Sequence, residues 1–402
     1  MAKATKTKEL LVDSDDKLLA NELINSINTT LKDKRAYNLS SEDNPTAVKY
    51  YISTGSILLD YIISNKRAGG IPAGRLLEIS GENSTGKSLL ALQILANTQK
   101  MGGLAIYLDT ENATDTVLLK SLGIDIDKLV YIQPKYVEEV FEIIEHVIKK
   151  VKETDTNKPI TVVWDSVAAT PPKAELDGDY EQTTMGLGAR AVSKGLRKIT
   201  QFIGDNNVTL VFINQLKTKI TSSKWEDPWI TPYGLSIPFH ASVRLRLTRT
   251  VNSDMKEGGD PKDKNADFTG VGVKVKVVKN KIAPPFRICE FSIGFYQGIL
   301  EHNQIFETLA NNSPIELEIN EKKYIANFKN GAWHSIVIDD DVGTIYETKF
   351  RKNEIYNYLI KNDEAKLYID AAIDTVLHKQ YSKQEAPELE SVINELDNLV
   401  ND

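Results

Sequence analysis

The chain has a single cysteine, Cys289, among 402 residues. An intramolecular disulfide framework is therefore excluded, and such usage fits a reducing compartment. Histidine is scarce too. Five scattered residues leave no ligand set for a structural zinc. No apolar run approaches the roughly twenty residues that a membrane-spanning helix needs. The start, Met1 to Lys6, carries charge with no apolar stretch behind it, so it does not read as a secretory signal. These absences point to the cytoplasm and away from a membrane. Cations are outnumbered as well: 49 Lys and Arg face 56 Asp and Glu, a net charge of -7. That argues against adhesion to nucleic acid over the whole surface, but it permits a local basic groove. Part of the acid excess collects at the C-terminal end, in Glu385, Glu388, Glu390, Glu395, Asp397 and Asp402.

What is present is more specific. Gly81-Glu82-Asn83-Ser84-Thr85-Gly86-Lys87-Ser88 is a complete G-x-x-x-x-G-K-[ST] phosphate loop. Arg75 to Ser80 reads as a short buried strand leading in. Leu89, Leu92 and Leu95 recur at helical spacing leading out. The glycines allow a tight turn whose N–H groups can face phosphate oxygens. The helix start adds a partial positive charge beneath the same anion. In this pattern Lys87 reaches the β- and γ-phosphates and Ser88 holds Mg²⁺. The expected ligands are thus a triphosphate and Mg²⁺, bound by residues 81–88 with Leu89 behind them.

Strands and helices alternate from about 46 to 250. Leu104 to Asp109, Ile160 to Asp165 and Val208 to Ile213 are near-continuous apolar runs. Between them lie a helix with Val140, Ile143, Val147 and Val151 on one face and a longer one over about 186–203. This predicts an α/β fold with a mostly parallel sheet covered by helices. Ligands then sit at the carboxyl ends of the strands, where Asp109, Glu111, Asp165 and Gln215 fall. Later runs, Val243 to Leu247, Val271 to Val278 and Ile288 to Ile293, extend the sheet, in part antiparallel. The Gly-, Lys- and Asp-rich stretch from Ser253 to Asn265 reads as a loop. The expected division is an N-terminal helical arm (1–45), a core (46–300), a small α+β C-terminal domain (301–380) with a turn at Asn330-Gly331, and an acidic tail (381–402).

Each candidate near the triphosphate has two readings. Asp165 serves Mg²⁺ opposite Ser88, or caps the next helix. Glu111 orients the attacking water, or is a solvated loop acid. Gln215 senses the γ-phosphate, or is a turn residue. Arg190, Lys194 and Arg197 recur at i, i+4 and i+7 and form a basic stripe that binds DNA or faces solvent. The stretch from Leu216 to Pro238 has no clear element. It carries Lys217, Lys219 and Lys224 with Trp225, Trp229 and Tyr233. Cations for phosphates and aromatic faces for bases suit a single-strand binder. The alternative is a disordered lid whose tryptophans pack on the body.

The sequence resembles the RecA recombinase family well beyond the phosphate loop. The runs that carry the likeness are Ile52-Ser53-Thr54-Gly55-Ser56, Gly70 to Arg75, Pro172-Lys173-Ala174-Glu175, Met185-Gly186-Leu187 with Arg190, Phe212-Ile213-Asn214-Gln215, Ala241 to Leu245 and Val277-Val278-Lys279-Asn280-Lys281-Ile282-Ala283-Pro284-Pro285-Phe286. The likeness is close over about 50–300 and looser beyond, through Gly331-Ala332-Trp333. It implies a recombinase that assembles as a homo-oligomeric helical filament on single-stranded DNA, exchanges strands with homologous double-stranded DNA and hydrolyses ATP at its subunit interfaces. A hexameric DNA helicase on the same fold is the alternative. By resemblance Glu111 is the general base and Gln215 the γ-phosphate sensor. Lys279 and Lys281 reach across to the neighbour's ATP, and Phe239 lies at that interface. Asp115 contacts the adenine amino group. Gly178 to Thr184 matches the first DNA loop, with Arg190 and Arg197 below it. The N-terminal arm docks on the adjacent subunit, and the acidic tail resembles an autoinhibitory C-terminus. The chain departs from the family at Leu118, where an aromatic stacks on adenine, and at Tyr233-Gly234 and Pro238 in the second DNA loop.

Overall fold

The computed structural model describes residues 2–40, 44, 47–112, 114–154, 158–178, 186–219, 228–256 and 267–382. The chain divides into two units, Met1–Lys49 and Tyr50–Asp402. In the first, α1 (Ala2–Leu31) is a single long helix. Leu19, Leu23, Ile27 and Leu31, spaced four apart, are all exposed. Asn28 ties down the turn after it. Its Oδ1 accepts the N–H groups of Arg35 and Ala36 at 2.7 and 2.8 Å.

In the second unit, β1 (Tyr51–Ile52), α2 (Ile57–Ser64) and β2 (Ile71–Pro72) lead to β3 (Leu76–Gly81) and α3 (Lys87–Lys100). Then come β4 (Leu104–Asp109), α4 (Thr116–Ser121), β5 (Leu129–Ile132), α5 (Val137–Thr154), β6 (Ile160–Asp165), α6 (Lys173–Leu176), α7 (Leu187–Asp205) and β7 (Val208–Gln215). The short β8 (Lys217–Thr218) pairs with β9 (Trp229–Ile230) and precedes α8 (Ser236–His240). Next are β10 (Val243–Lys256), β11 (Phe268–Asn280), β12 (Ile288–Gly294) and β13 (Gly298–Leu300). The chain goes on through α9 (His302–Asn311), β14 (Ile315–Ile319), β15 (Lys322–Lys329), β16 (His334–Asp339), β17 (Thr344–Phe350), α10 (Ile355–Leu359) and α11 (Lys366–Ser382).

Nine strands form the main sheet in the order β13-β12-β11-β10-β3-β7-β6-β4-β5. From β10 to β5 neighbouring strands are parallel; from β10 to β13 they are antiparallel. The expected mixed sheet is therefore present, with β3 near its middle. Its central strands β3, β7 and β6 are buried almost throughout because both faces are covered. On one face Leu77, Ile79, Val211 and Ile213 pack with α2 and α3. On the other, Leu76, Ile106, Trp164 and Phe212 pack with α5 and α7. Phe141 and Phe212 meet the Trp164 ring edge-on at 5.8 and 5.0 Å. Deleting a fully buried Trp of this kind costs roughly 3–5 kcal/mol.

The apolar face of α5 differs from expectation by about one position. Val140, Phe141, Ile144, Ile148 and Val151 are buried, whereas Ile143 and Val147 only flank the cluster. Phe141 sets this rotation, because its ring lies against Gly195 of α7. A Cβ at Gly195 would fall 2.3 Å from the ring, so only glycine lets the two helices approach this closely. A second, four-stranded antiparallel sheet, β14-β15-β16-β17, packs with α9 and α11, and its apolar residues join the cluster that includes α2 and α3.

Candidate nucleotide site and its surroundings

The phosphate loop connects β3 to α3 as expected. Gly86 is the N-cap of α3 with φ +81°, a conformation that suits glycine. A Cβ there would meet Ile293 Cδ1 at 2.6 Å. Ser84 also has positive φ, +58°. Thr85 Oγ1 donates to Glu82 O at 2.9 Å and Lys87 Nζ donates to the same oxygen at 2.7 Å, which closes the loop on itself. Burial pushes the Lys87 ammonium pKa down, and nearby Asp165, Glu111 and Glu82 counter this. A cation so placed gains when an anion arrives, since a polyphosphate would replace the single carbonyl partner. A cavity of about 550 Å³ opens beside the loop. Ser84 to Leu89 form one wall, and Arg249, Phe268 and Phe295 stand on the other. Sequence reasoning missed these last three, because they come from distant parts of the chain: β10, β11 and the turn after β12.

Asp165 ends β6, level with Asp109 at the end of β4. It accepts hydrogen bonds from Tyr107 OH, at 2.9 Å, and from the Ser88 side chain. Its pKa is raised chiefly by burial, against the lowering effect of those two donors; Glu111 and Asp109 add to the rise. Ser88 and Asp165 thus present adjacent hard oxygens beside the loop, which suits a Mg²⁺ that keeps most of its waters and shares phosphate oxygens. No cluster of three or more His, Cys, Asp or Glu that could cage a metal occurs among the described residues.

Glu111 is exposed at the same edge. Ser166 Oγ donates to its Oε1 at 2.6 Å, and its own N–H donates to Asp109 Oδ1 at 3.0 Å. Backbone and carboxylate are therefore both fixed. Gln215 ends β7 directly opposite Gly81, and the following Leu216 N–H donates to Gly81 O at 3.3 Å. The segment that leaves the sheet here is tied to the first residue of the phosphate loop. Asp115 is the N-cap of α4 and accepts from Val117 N–H at 3.1 Å. Leu118 packs against the core.

The structure does not bring Lys279 and Lys281 to this chain's own loop. Lys279 lies opposite Arg244, which lies opposite Glu78, three residues before Gly81. Its Nζ donates to Pro238 O at 2.7 Å and Phe239 O at 3.0 Å, two carbonyls of α8. Phe239 is 68% exposed. Burial lowers the Lys279 pKa, with Lys281 and Arg244 adding to the effect. Lys281 is exposed, and its N–H is held by Ser242 O at 3.0 Å.

Arg190, Lys194 and Arg197 are all exposed on α7, but they do not share one neighbourhood. Arg190 and Lys194 line a cleft whose other wall carries Glu138, Glu142 and Glu145 of α5, and Lys198 pairs with Glu145 at 3.0 Å. Arg197 lies near His240, whose pKa is lowered by burial, then by Lys281, Arg197 and Lys279. The stretch from Leu216 to Pro238 is less formless than expected. The β8–β9 ladder closes its base, Lys217 is exposed within it, and Lys219 N–H donates to Pro228 O at 2.8 Å. Tyr233 is not a free aromatic face. Its ring packs on Gly188, where a Cβ would fall 2.0 Å from it, and its hydroxyl donates to Thr170 O at 2.5 Å. Lys224, Trp225, residues 179–184 of the expected first DNA loop and residues 383–402 of the acidic tail lie outside the described residues.

A phosphate loop at the carboxyl edge of a largely parallel sheet, with Asp165 beside Ser88 and Glu111 held next to it, defines a nucleoside triphosphatase of the phosphate-loop class. The family model described as RecA N-terminal domain matches residues 20–300. Protein RecA of Staphylococcus carnosus (strain TM300) is 36% identical over 328 residues, covering 82% of each chain. Protein RecA of Trichodesmium erythraeum (strain IMS101) is 39% identical over 284 residues, 71% of this chain and 70% of its own. Protein RecA of Wolinella succinogenes is 41% identical over 256 residues, 64% and 68% of the two chains. The chain belongs to the RecA family. It is accordingly an ATP-dependent recombinase and a DNA-dependent ATPase, and a hexameric helicase is not favoured.

Proposed function

We propose that this chain assembles on single-stranded DNA as a helical filament with ATP and Mg²⁺ at each joint, pairs the bound strand with homologous duplex and exchanges strands. Residues 81–89 hold the triphosphate, with Lys87 on its outer phosphates. Ser88 and Asp165 hold Mg²⁺, which when bound neutralises charge on the phosphate oxygens. Glu111, steadied by Ser166, takes the proton of the attacking water. Gln215 reports the γ-phosphate to the segment that follows it, whose Lys217, Lys219, Lys224 and Trp225 contact DNA with Arg190 and Arg197. Lys279 and Lys281 of one subunit complete the site of the next, and Asp115 meets the adenine.

The observation that carries this reading is the pairing of Gln215 with Gly81, which joins the phosphate loop to the start of the second DNA segment within one strand register. The position of Lys279 away from its own loop supports a role toward a neighbour. The division of labour follows the expected boundaries: arm 1–45, core 46–300, C-terminal domain 301–380, acidic tail 381–402. No described helix is long and apolar enough to cross a membrane, and a cytoplasmic location is part of the proposal. Electron microscopy with an ATP analogue and single-stranded DNA tests it. Open helices are expected; closed rings would return the helicase reading.

A further inference from the structure

Two tyrosines stand behind the strand-end carboxylates. Tyr107 of β4 and Tyr131 of β5 are register partners, with ring centroids 6.1 Å apart. Tyr107 is buried, and its hydroxyl donates to Asp165 Oδ2 at 2.9 Å. The Tyr131 hydroxyl donates to Asp109 Oδ2 at 2.9 Å. Asp109 is itself buried, and every direction around it is used. Oδ2 also accepts from Thr114 Oγ1 at 2.7 Å, while Oδ1 accepts the N–H groups of Glu111 and Asn112 at 3.0 and 2.8 Å. A carboxylate with four donors has no acceptor capacity left for substrate or water. Asp109 is therefore the peg on which the Glu111 backbone hangs. The Tyr107 oxygen lies 3.4 Å from Thr114 Oγ1, so the two tyrosines, Thr114 and both aspartates form one connected group.

We infer that Tyr107 and Tyr131 are positioning residues of the hydrolytic site: Tyr107 fixes the rotation of Asp165, and Tyr131, through Asp109, fixes the backbone that presents Glu111. The inference rests on the roles proposed for Asp165 and Glu111. Phenylalanine would fill the same volume at either position, so the hydroxyl is the only atom at issue. Asp165 Oδ2 is engaged by Tyr107, which restrains the carboxylate's rotation, and the same carboxylate also accepts from the Ser88 side chain. Partners one step removed from a metal or catalytic group typically change affinity or rate by about 10- to 100-fold when deleted.

The test uses full-length Tyr107→Phe, Tyr131→Phe and, as a reference, Glu111→Gln. Three quantities are measured: the Mg²⁺ midpoint for binding a fluorescent non-hydrolysable ATP analogue, the single-turnover ATP hydrolysis rate on single-stranded DNA, and the thermal midpoint without nucleotide. Tyr107→Phe is expected to raise the Mg²⁺ midpoint about tenfold. Tyr131→Phe is expected to keep that midpoint and to slow hydrolysis about tenfold. A fall in thermal midpoint alone, with Mg²⁺ midpoint and hydrolysis rate unchanged in both variants, overturns the inference and leaves the hydroxyls a purely structural role. Hydrolysis at the native rate by Glu111→Gln overturns the base role instead and removes the Tyr131 half, while the Tyr107 half still stands or falls on the Mg²⁺ midpoint.

Discussion

Arg244 Nε donates to Glu78 Oε2 at 2.5 Å in the middle of the main sheet, and Asn214 Nδ2 donates to the other carboxylate oxygen at 3.1 Å. Glu78 is fully buried, and Arg244 keeps one-fifth of its side chain exposed. The pair bridges β3 and β10, with Lys279 on the next strand and Gln215 directly after Asn214. Removing one member of a buried pair leaves an uncompensated charge and costs about 3–5 kcal/mol. Glu78→Ala should therefore lower stability by that amount in denaturant titration. Glu145→Ala, which breaks the exposed pair with Lys198, should cost under about 1 kcal/mol. Equal effects would show that the buried pair carries no special weight.

Lys87→Ala removes the cation that the loop folds around. Loss of one charged donor at a transition state typically costs about 10² to 10³ in rate, and ground-state binding should weaken as well. ATP turnover and ATP-dependent DNA binding should both fall by at least about a hundredfold. Native turnover in this variant would refute the phosphate-loop assignment.

Glu111→Gln preserves shape and the hydrogen bond to Ser166 but cannot take a proton. Hydrolysis should drop by roughly 10² to 10⁴, while ATP-dependent binding to single-stranded DNA persists. Filter binding and phosphate release on the same preparation separate the two. Lost nucleotide affinity with the remaining hydrolysis unchanged per bound ATP would assign Glu111 to binding instead.

Stability should fall as pH rises through the range where Asp60 ionises in the native state. Its pKa is raised to about 7, chiefly by burial, although Ser53 and Thr54 donate to it. An acid whose native pKa exceeds its unfolded value binds the extra proton in the native state between the two. Its contribution is thus fully favourable below the unfolded pKa near 3.8 and is lost by about pH 7. Glu301, raised by burial beside the start of α2, acts in the same direction. Asp60→Asn should flatten the decline between about pH 4 and 7, measured by denaturant midpoints. An unchanged slope would place the titration elsewhere.

Much of the nucleotide site is legible in the sequence because its signals are local. The loop, its strand and its helix are contiguous, and strand-end acids such as Asp165 fall where an apolar run stops. Ser166 and Tyr107 are not legible in that way. Their value lies in contacts across neighbouring strands, and a tyrosine inside an apolar run reads as core until its hydroxyl is placed. Glu78 and Arg244 are 166 residues apart, so no spacing rule links them. Tyr233 shows the converse: composition left a base-stacking role open, and a glycine on α7 leaves room for the ring to pack inward. On α7 the periodicity of Arg190, Lys194 and Arg197 is right, yet it could not reveal the acidic wall that α5 sets opposite two of them.

In the proposed filament, Lys279 and Lys281 of a neighbouring subunit complete each ATP site. Mixing Lys87→Ala with the double variant Lys279→Ala/Lys281→Ala tests this most directly, by DNA-stimulated ATP hydrolysis. Each variant alone should be inactive. In the mixture some joints combine an intact loop from the lysine variant with intact lysines from the loop variant, so activity should reappear. A mixture as inactive as its parts, or a lysine variant active by itself, would contradict the account.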